Sequence, residues 1–213
     1  MLPRWQPPAR DASVRAMNET RLASQIEFIL ELDRLKEILR QSTLLSGSRR
    51  ENSAEHSWHT AMLAWLLVEH AEEAIDAGRV MRMLLIHDVV EIDAGDTFLY
   101  DTEGAKTKAA REEKAADRLF NLLPGDQAEE LRAIWDEFEA GETPDARYAG
   151  AADRLMPLLH NLHNGGLGWR KHGIRAGQVL ERNSKIAKAS AGLWEYAQRL
   201  IATAVERGDL KRD

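Results

Sequence analysis

Leu22, Ile26, Ile29, Leu30, Leu35, Ile38 and Leu39 recur at spacings of three and four, and this helical period returns along most of the chain. The period predicts a first helix from about Glu19 and a second from near Ser53 to near Gly78. A third is expected over Arg79–Ile92, a fourth over Lys106–Leu122 and a fifth over Gln127–Ala140. Thr143-Pro144-Asp145 is a helix-start signal, with proline in the first turn. The sixth helix it opens holds Asp153 and an internal Pro157, which removes one backbone hydrogen bond and predicts a bend. Two C-terminal helical stretches follow, separated by a glycine-rich loop around Gly165–Gly168. Ser42–Glu51 reads as a loop. No run alternates as a strand would. The expected fold is all-α, a single bundle-like domain of six to eight helices over residues 19–213. An irregular lead-in is expected over residues 1–18, which contain three prolines and little periodicity.

Inside the third predicted helix, Met-Leu-Leu-Ile-His-Asp-Val-Val-Glu sets His87 and Asp88 side by side in an apolar run. Burying such a pair requires a compensating partner, and a divalent cation would serve. On a helix, Glu91 falls on the same side as the pair. Other helices must supply the remaining ligands. His56 and Asp153 are the candidates, and the alanines before Asp153 admit a close neighbour. Alone, His56 reads as a helix-start or surface histidine, and Asp153 as a partner for Arg154 or Arg147. Two imidazoles and two carboxylates suit Mn, Zn, Co, Ni or Fe better than calcium.

Composition removes several alternatives. Cysteine is absent, which rules out disulfides, thiolate zinc sites and a cysteine nucleophile. The formal net charge is -6 and no Lys/Arg block stands out, so an extended nucleic-acid surface is not expected. The N-terminus has no apolar signal region, and no segment reaches the roughly 18 apolar residues of a membrane span. A cytoplasmic protein is expected. The segment around Trp135 reads as an apolar helix reaching beyond the core and predicts a homodimer. Trp58 and Trp65, seven apart, have core spacing. His59, His70, His160, His163 and His172 read as surface or core residues that form no second cluster. Lys106, Lys108 and Arg111 read chiefly as a solvated helix face.

The pattern His56 … His87-Asp88 … Asp153 resembles the HD superfamily of metal-dependent phosphohydrolases. Arg50-Glu51-Asn52-Ser53-Ala54-Glu55-His56-Ser57 and His87-Asp88-Val89-Val90-Glu91 with Gly95-Asp96 are similar to the motif segments of its HD-type 5'-deoxynucleotidases. The resemblance spans roughly residues 20–200. It implies an HD-domain helical bundle with one divalent ion (Mn, Zn, Co, Ni, Fe or Mg) on His56, His87, Asp88 and Asp153. It also implies hydrolysis of deoxynucleoside 5'-monophosphates to nucleoside and phosphate. Glu91 matches the family's acid/base and Asp96 its sugar contact, and these are the two expected catalytic residues. Arg40 matches its phosphate-binding arginine near the end of the first helix, while Gln41 stands where the family has tryptophan. The expected substrate contacts are Arg40, Gln41, His56, Asp96, Thr97 and Asp153. Two-metal members use extra histidines between the His-Asp pair and the last aspartate. No histidine lies between His87 and Asp153 here, which favours one metal and a monoester substrate. Another nucleotide-like phosphoester, or a regulatory protein that merely binds metal and nucleotide, stays open.

Overall fold

The computed structural model describes the backbone of residues 12–213 and the side chains from Asn18 onward. Helix α1 (Ala12–Leu32) already includes residues 12–18, so the expected irregular lead-in is helical there. Residues 1–11 of that lead-in lie outside the described residues. A short 3-10 turn follows α1. The chain then makes an antiparallel hairpin, β1 (Leu39–Thr43) and β2 (Arg50–Asn52). Its register runs Leu39 to Asn52 and Thr43 to Arg50, with an irregularity between. The predicted Ser42–Glu51 loop and the C-terminal end of the predicted first helix are therefore this hairpin. Arg50 braces it by donating from its guanidinium to the Leu39 and Arg40 carbonyls.

Helices α2 (Ser53–Leu66), α3 (Ala77–Ile86), α4 (Glu91–Ala94), α5 (Ala105–Phe120), α6 (Gly125–Ala140) and α7 (Pro144–His163) follow. Helices α8 (Leu167–His172), α9 (Ala176–Asn183) and α10 (Ala191–Arg207) complete the chain. The all-α expectation holds, although ten α-helical segments occur among the described residues where six to eight were expected. Local chemistry sets the key boundaries. Asn52 accepts from the Glu55 amide at 2.9 Å and Glu55 accepts from the Asn52 amide at 3.2 Å, a reciprocal cap that opens α2 one turn before His56. Thr143 caps α7 with Pro144 next, as the sequence predicts.

Two apolar cores explain why the third predicted helix breaks. Met83 and Leu84, on α3, pack with α2, α7 and α10 residues such as Ala64, Leu155 and Ile201. Val89, Val90 and Ile92 pack instead with Phe28, Leu119, Phe120 and Trp135. No single straight helix face serves both cores, so the chain turns between Ile86 and Glu91. His87 and Asp88 occupy that turn. Three tryptophan expectations are corrected. Trp135 is 4% exposed within the chain's own second core and gives no support to a dimer. Trp58 and Trp65, predicted core, are 61% and 53% exposed, because α2 buries the face carrying His56, Thr60 and Ala64. The α1 residues Leu22, Ile26, Ile29 and Leu30 are exposed as well. No helix among the described residues is long and apolar enough to cross a membrane.

Candidate metal centre

His87 closes α3, and its Nδ1 lies 2.8 Å from the Leu84 carbonyl, to which it donates. In the neutral ring that bond leaves Nε2 as the acceptor, and Nε2 is buried without a hydrogen-bond partner. Ligand atoms of His56, His87 and Asp88 lie within 4.8 Å of one another, all on buried residues. Asp153, carried in by α7, places Oδ1 2.9 Å from His56 Nε2 and 3.5 Å from His87 Nε2. Ala149, Ala151 and Ala152 are buried beside it, which lets α7 approach α2 and α3 closely. All four predicted ligands therefore converge. Two imidazoles and two carboxylates, with one buried nitrogen aimed inward, fit a divalent transition metal.

Charge is concentrated here. Burial alone would lower the His87 pKa, but Asp88 and Asp153 more than offset it and raise it to about 9. Burial would raise Asp153, yet the hydrogen bond with His56 and the nearby His87 imidazole hold it well below the ordinary carboxylate range. Burial, then the Asp88 charge, pushes Glu91 up to about 8 against the opposing pull of Arg40. Metal ligation needs neutral imidazole. With His87 raised, metal uptake below about pH 9 releases a proton from it, and affinity tightens as pH rises towards that value. Calorimetry in buffers of different ionisation enthalpy measures this release; a proton count of zero at pH 7 contradicts it.

Arg40 reaches the same place from β1 rather than from a helix end, correcting the predicted position. Its Nη1 is 2.6 Å from Asp88 Oδ2, 3.6 Å from Asp96 Oδ1 and 3.8 Å from Glu91 Oε1. Burial alone would lower its pKa, but these carboxylates keep it charged. Gly95, at φ 73°, ends α4 in a conformation that favours glycine and directs the chain to Asp96. Burial raises the Asp96 pKa. Thr97 is held by Arg111, whose Nη2 donates to Oγ1 at 2.8 Å and whose Nη1 donates to the Ala94 carbonyl.

A cleft of about 210 Å³ opens on the centre, lined by Arg40, Gln41, His87, Asp88, Glu91, Asp96, Thr97 and Asp153. His56 does not line it; it stands behind, fully buried. Three features lie outside the site predicted from the sequence. Ser53 donates to Glu91 Oε2 at 2.6 Å. Lys108, read as a solvated face, lines the cleft with Glu112, to which its Nζ donates at 2.7 Å. Phe98, Tyr100 and Trp169 add an aromatic wall. Of these, only Ser53 had a local signal, its place at the start of the helix that carries His56. Lys106, by contrast, pairs with Glu103 on the surface.

The sequence profile of the HD domain matches residues 32–194. The chain belongs to the HD domain family. A crystal structure of a predicted metal-dependent phosphohydrolase from Magnetospirillum magnetotacticum MS-1 superposes with a TM-score of 0.85 at 55% identity, covering 90% of this chain and 99% of that one. The human 5'-deoxynucleotidase HDDC2 is 26% identical over 137 residues, 64% of this chain and 66% of its own length. The Schizosaccharomyces pombe 5'-deoxynucleotidase hdd1 is 27% identical, over 65% of this chain and 71% of its own. The resemblance read from the motif segments is thereby borne out for this HD-domain protein.

Proposed function

We propose that this HD-domain protein is a metal-dependent phosphohydrolase that converts deoxynucleoside 5'-monophosphates to deoxynucleosides and phosphate. The convergence of His56, His87, Asp88 and Asp153 around the unpartnered His87 Nε2 carries the reading. These four would hold one divalent ion. Such an ion supplies a Lewis acid and a bound water of lowered pKa. The chain's own groups do the rest. Arg40 binds the phosphate, where a guanidinium offers two parallel donors. Gln41 and Thr97, also in the cleft wall, are the expected further substrate contacts, and Asp96 holds the sugar. Glu91, with Ser53 fixing one carboxylate oxygen, takes the proton of the attacking water or returns one to the leaving oxygen. The names of the human and yeast relatives support the nucleotide class. Phosphate release from a panel of ribo- and deoxynucleotides, each with several divalent metals, tests it. Tight nucleotide binding without any release would identify a binding protein instead.

Arg40→Ala removes charge-assisted hydrogen bonds worth about 1.5–3 kcal/mol, so kcat/KM falls roughly ten- to a hundredfold. Arg40→Lys keeps the charge and should recover part of that loss. An unchanged kcat/KM in Arg40→Ala excludes it as the phosphate ligand.

We further propose that the protein works in the cytoplasm and as a homodimer. With Trp135 buried, the exposed apolar residues Leu22, Ile26, Ile29 and Leu30 of α1 are the surface that supports pairing. Sedimentation equilibrium of the full chain decides the oligomer, a monomer at high concentration overturning it.

A further inference from the structure

His56 has two ring nitrogens, and the proposed centre uses only one. Nε2 faces Asp153, while Nδ1 faces Glu51 Oε2 at 3.4 Å. Beyond Glu51 stand His59 and His160, which form a cluster that sequence spacing does not predict. Glu51 comes from β2, His59 from α2 and His160 from α7, and one ligand atom from each lies within 4.8 Å of the others. Glu51 Oε2 is 3.8 Å from His160 Nδ1, and the His59 and His160 ring centroids are 5.7 Å apart.

The cluster is unsatisfied as it stands. Glu51 Oε2, His56 Nδ1 and His160 Nδ1 are all buried and without a hydrogen-bond partner. Glu51 is 1% exposed and His160 3%. A buried carboxylate and a buried imidazole left unpaired each cost free energy that a ligand would recover. Ligand atoms about 2.1 Å from a shared tetrahedral ion lie about 3.4 Å apart. The 3.8 Å between Glu51 Oε2 and His160 Nδ1 is near that separation and too long for a hydrogen bond.

We propose that Glu51, His59 and His160 bind a second divalent transition-metal ion, separate from the one assigned to His56, His87, Asp88 and Asp153. Two imidazoles and one carboxylate suit zinc or a neighbouring first-row ion, with water completing the shell. The role is structural. The ion ties β2 and α2 to α7, and it keeps Glu51 against the Nδ1 edge of His56, which orients the ring that serves the first centre.

The test is a metal count. The full-length protein is stripped with a chelator, reloaded with excess zinc, desalted, and measured for zinc against protein. Two ions per chain are expected in the wild type. His59→Ala and His160→Gln are each expected to keep one, and Asp88→Asn to keep one at the other centre. Circular dichroism checks that each variant folds. Because His59 is only half-buried, its replacement leaves the core intact even where His160→Gln fails. Anomalous diffraction at the zinc edge of the wild type is expected to show a peak among Glu51, His59 and His160. A single ion per chain that disappears in Asp88→Asn, with a water peak among those three residues, overturns the proposal and leaves the first centre intact.

Discussion

Asp88→Asn is expected to strip the His56/His87/Asp88/Asp153 centre of its metal and to lower phosphohydrolase activity by a thousandfold or more. Lewis-acid stabilisation of a phosphoryl group is worth several kcal/mol, and each ~1.4 kcal/mol is about tenfold in rate. Asp88 sits 3.1 Å from His87 Nε2 and 2.6 Å from Arg40 Nη1, so it touches both the nitrogen proposed to bind the metal and the cation proposed to bind the phosphate. Asparagine preserves shape and removes charge. In the metal-free protein that removal relieves Glu91, whose pKa Asp88 raises, while it weakens the pairing with Arg40 and His87, two effects that oppose each other in the Tm. Activity loss with an unchanged Tm therefore reports the site rather than misfolding. Turnover at the wild-type level would sink the assignment, and His87→Ala gives an independent check through the other member of the pair.

Glu91→Gln should separate binding from chemistry. Glu91 is 4% exposed, accepts from Ser53 and lies beside Asp88 without belonging to the converging ligand set. The variant is expected to keep its metal, its fold and its substrate affinity. Its kcat should fall by about 10²–10⁴, the usual contribution of a positioned acid or base. The pH dependence adds a second signature. In the metal-free chain, burial and Asp88 push Glu91 up to about 8, so it is protonated at pH 7 and ionises above that value. A bound cation favours the carboxylate and moves the ionisation to lower pH. The ascending limb of kcat with pH in the loaded wild type should vanish in Glu91→Gln. A near-normal kcat, or an unchanged limb, removes Glu91 from the acid/base role.

Helical period, the Thr143-Pro144 start and the missing strand alternation were enough to predict an all-helical chain, because they are local properties of backbone and side-chain spacing. The His87-Asp88 pair was legible for a different reason: side by side in an apolar run it is costly without a partner, whereas His56 and Asp153 joined it through the resemblance to the HD superfamily. What local spacing misreads is the face. Trp58 and Trp65 keep a helical period yet point outward, since the opposite face of α2 carries His56 and meets α7. The hairpin is not apparent in the sequence because its strands are short and polar and are joined by a turn through Gly47 at φ 71°. Pairing across the turn and contacts from distant residues such as Asn164 stabilise them, and neither is a property of either segment.

By itself, then, the sequence determined the helical class, the four residues that converge and the glutamate beside them. Tertiary structure decided how they meet. The competing pulls of two cores bent the chain at His87-Asp88 and turned both side chains toward α2 and α7. The hairpin brought Arg40 onto the same carboxylates from a strand, and it set Glu51 between His56 and His160. Those contacts join residues up to 109 positions apart (Glu51 and His160), and only the packed interior brings such groups within ligand distance.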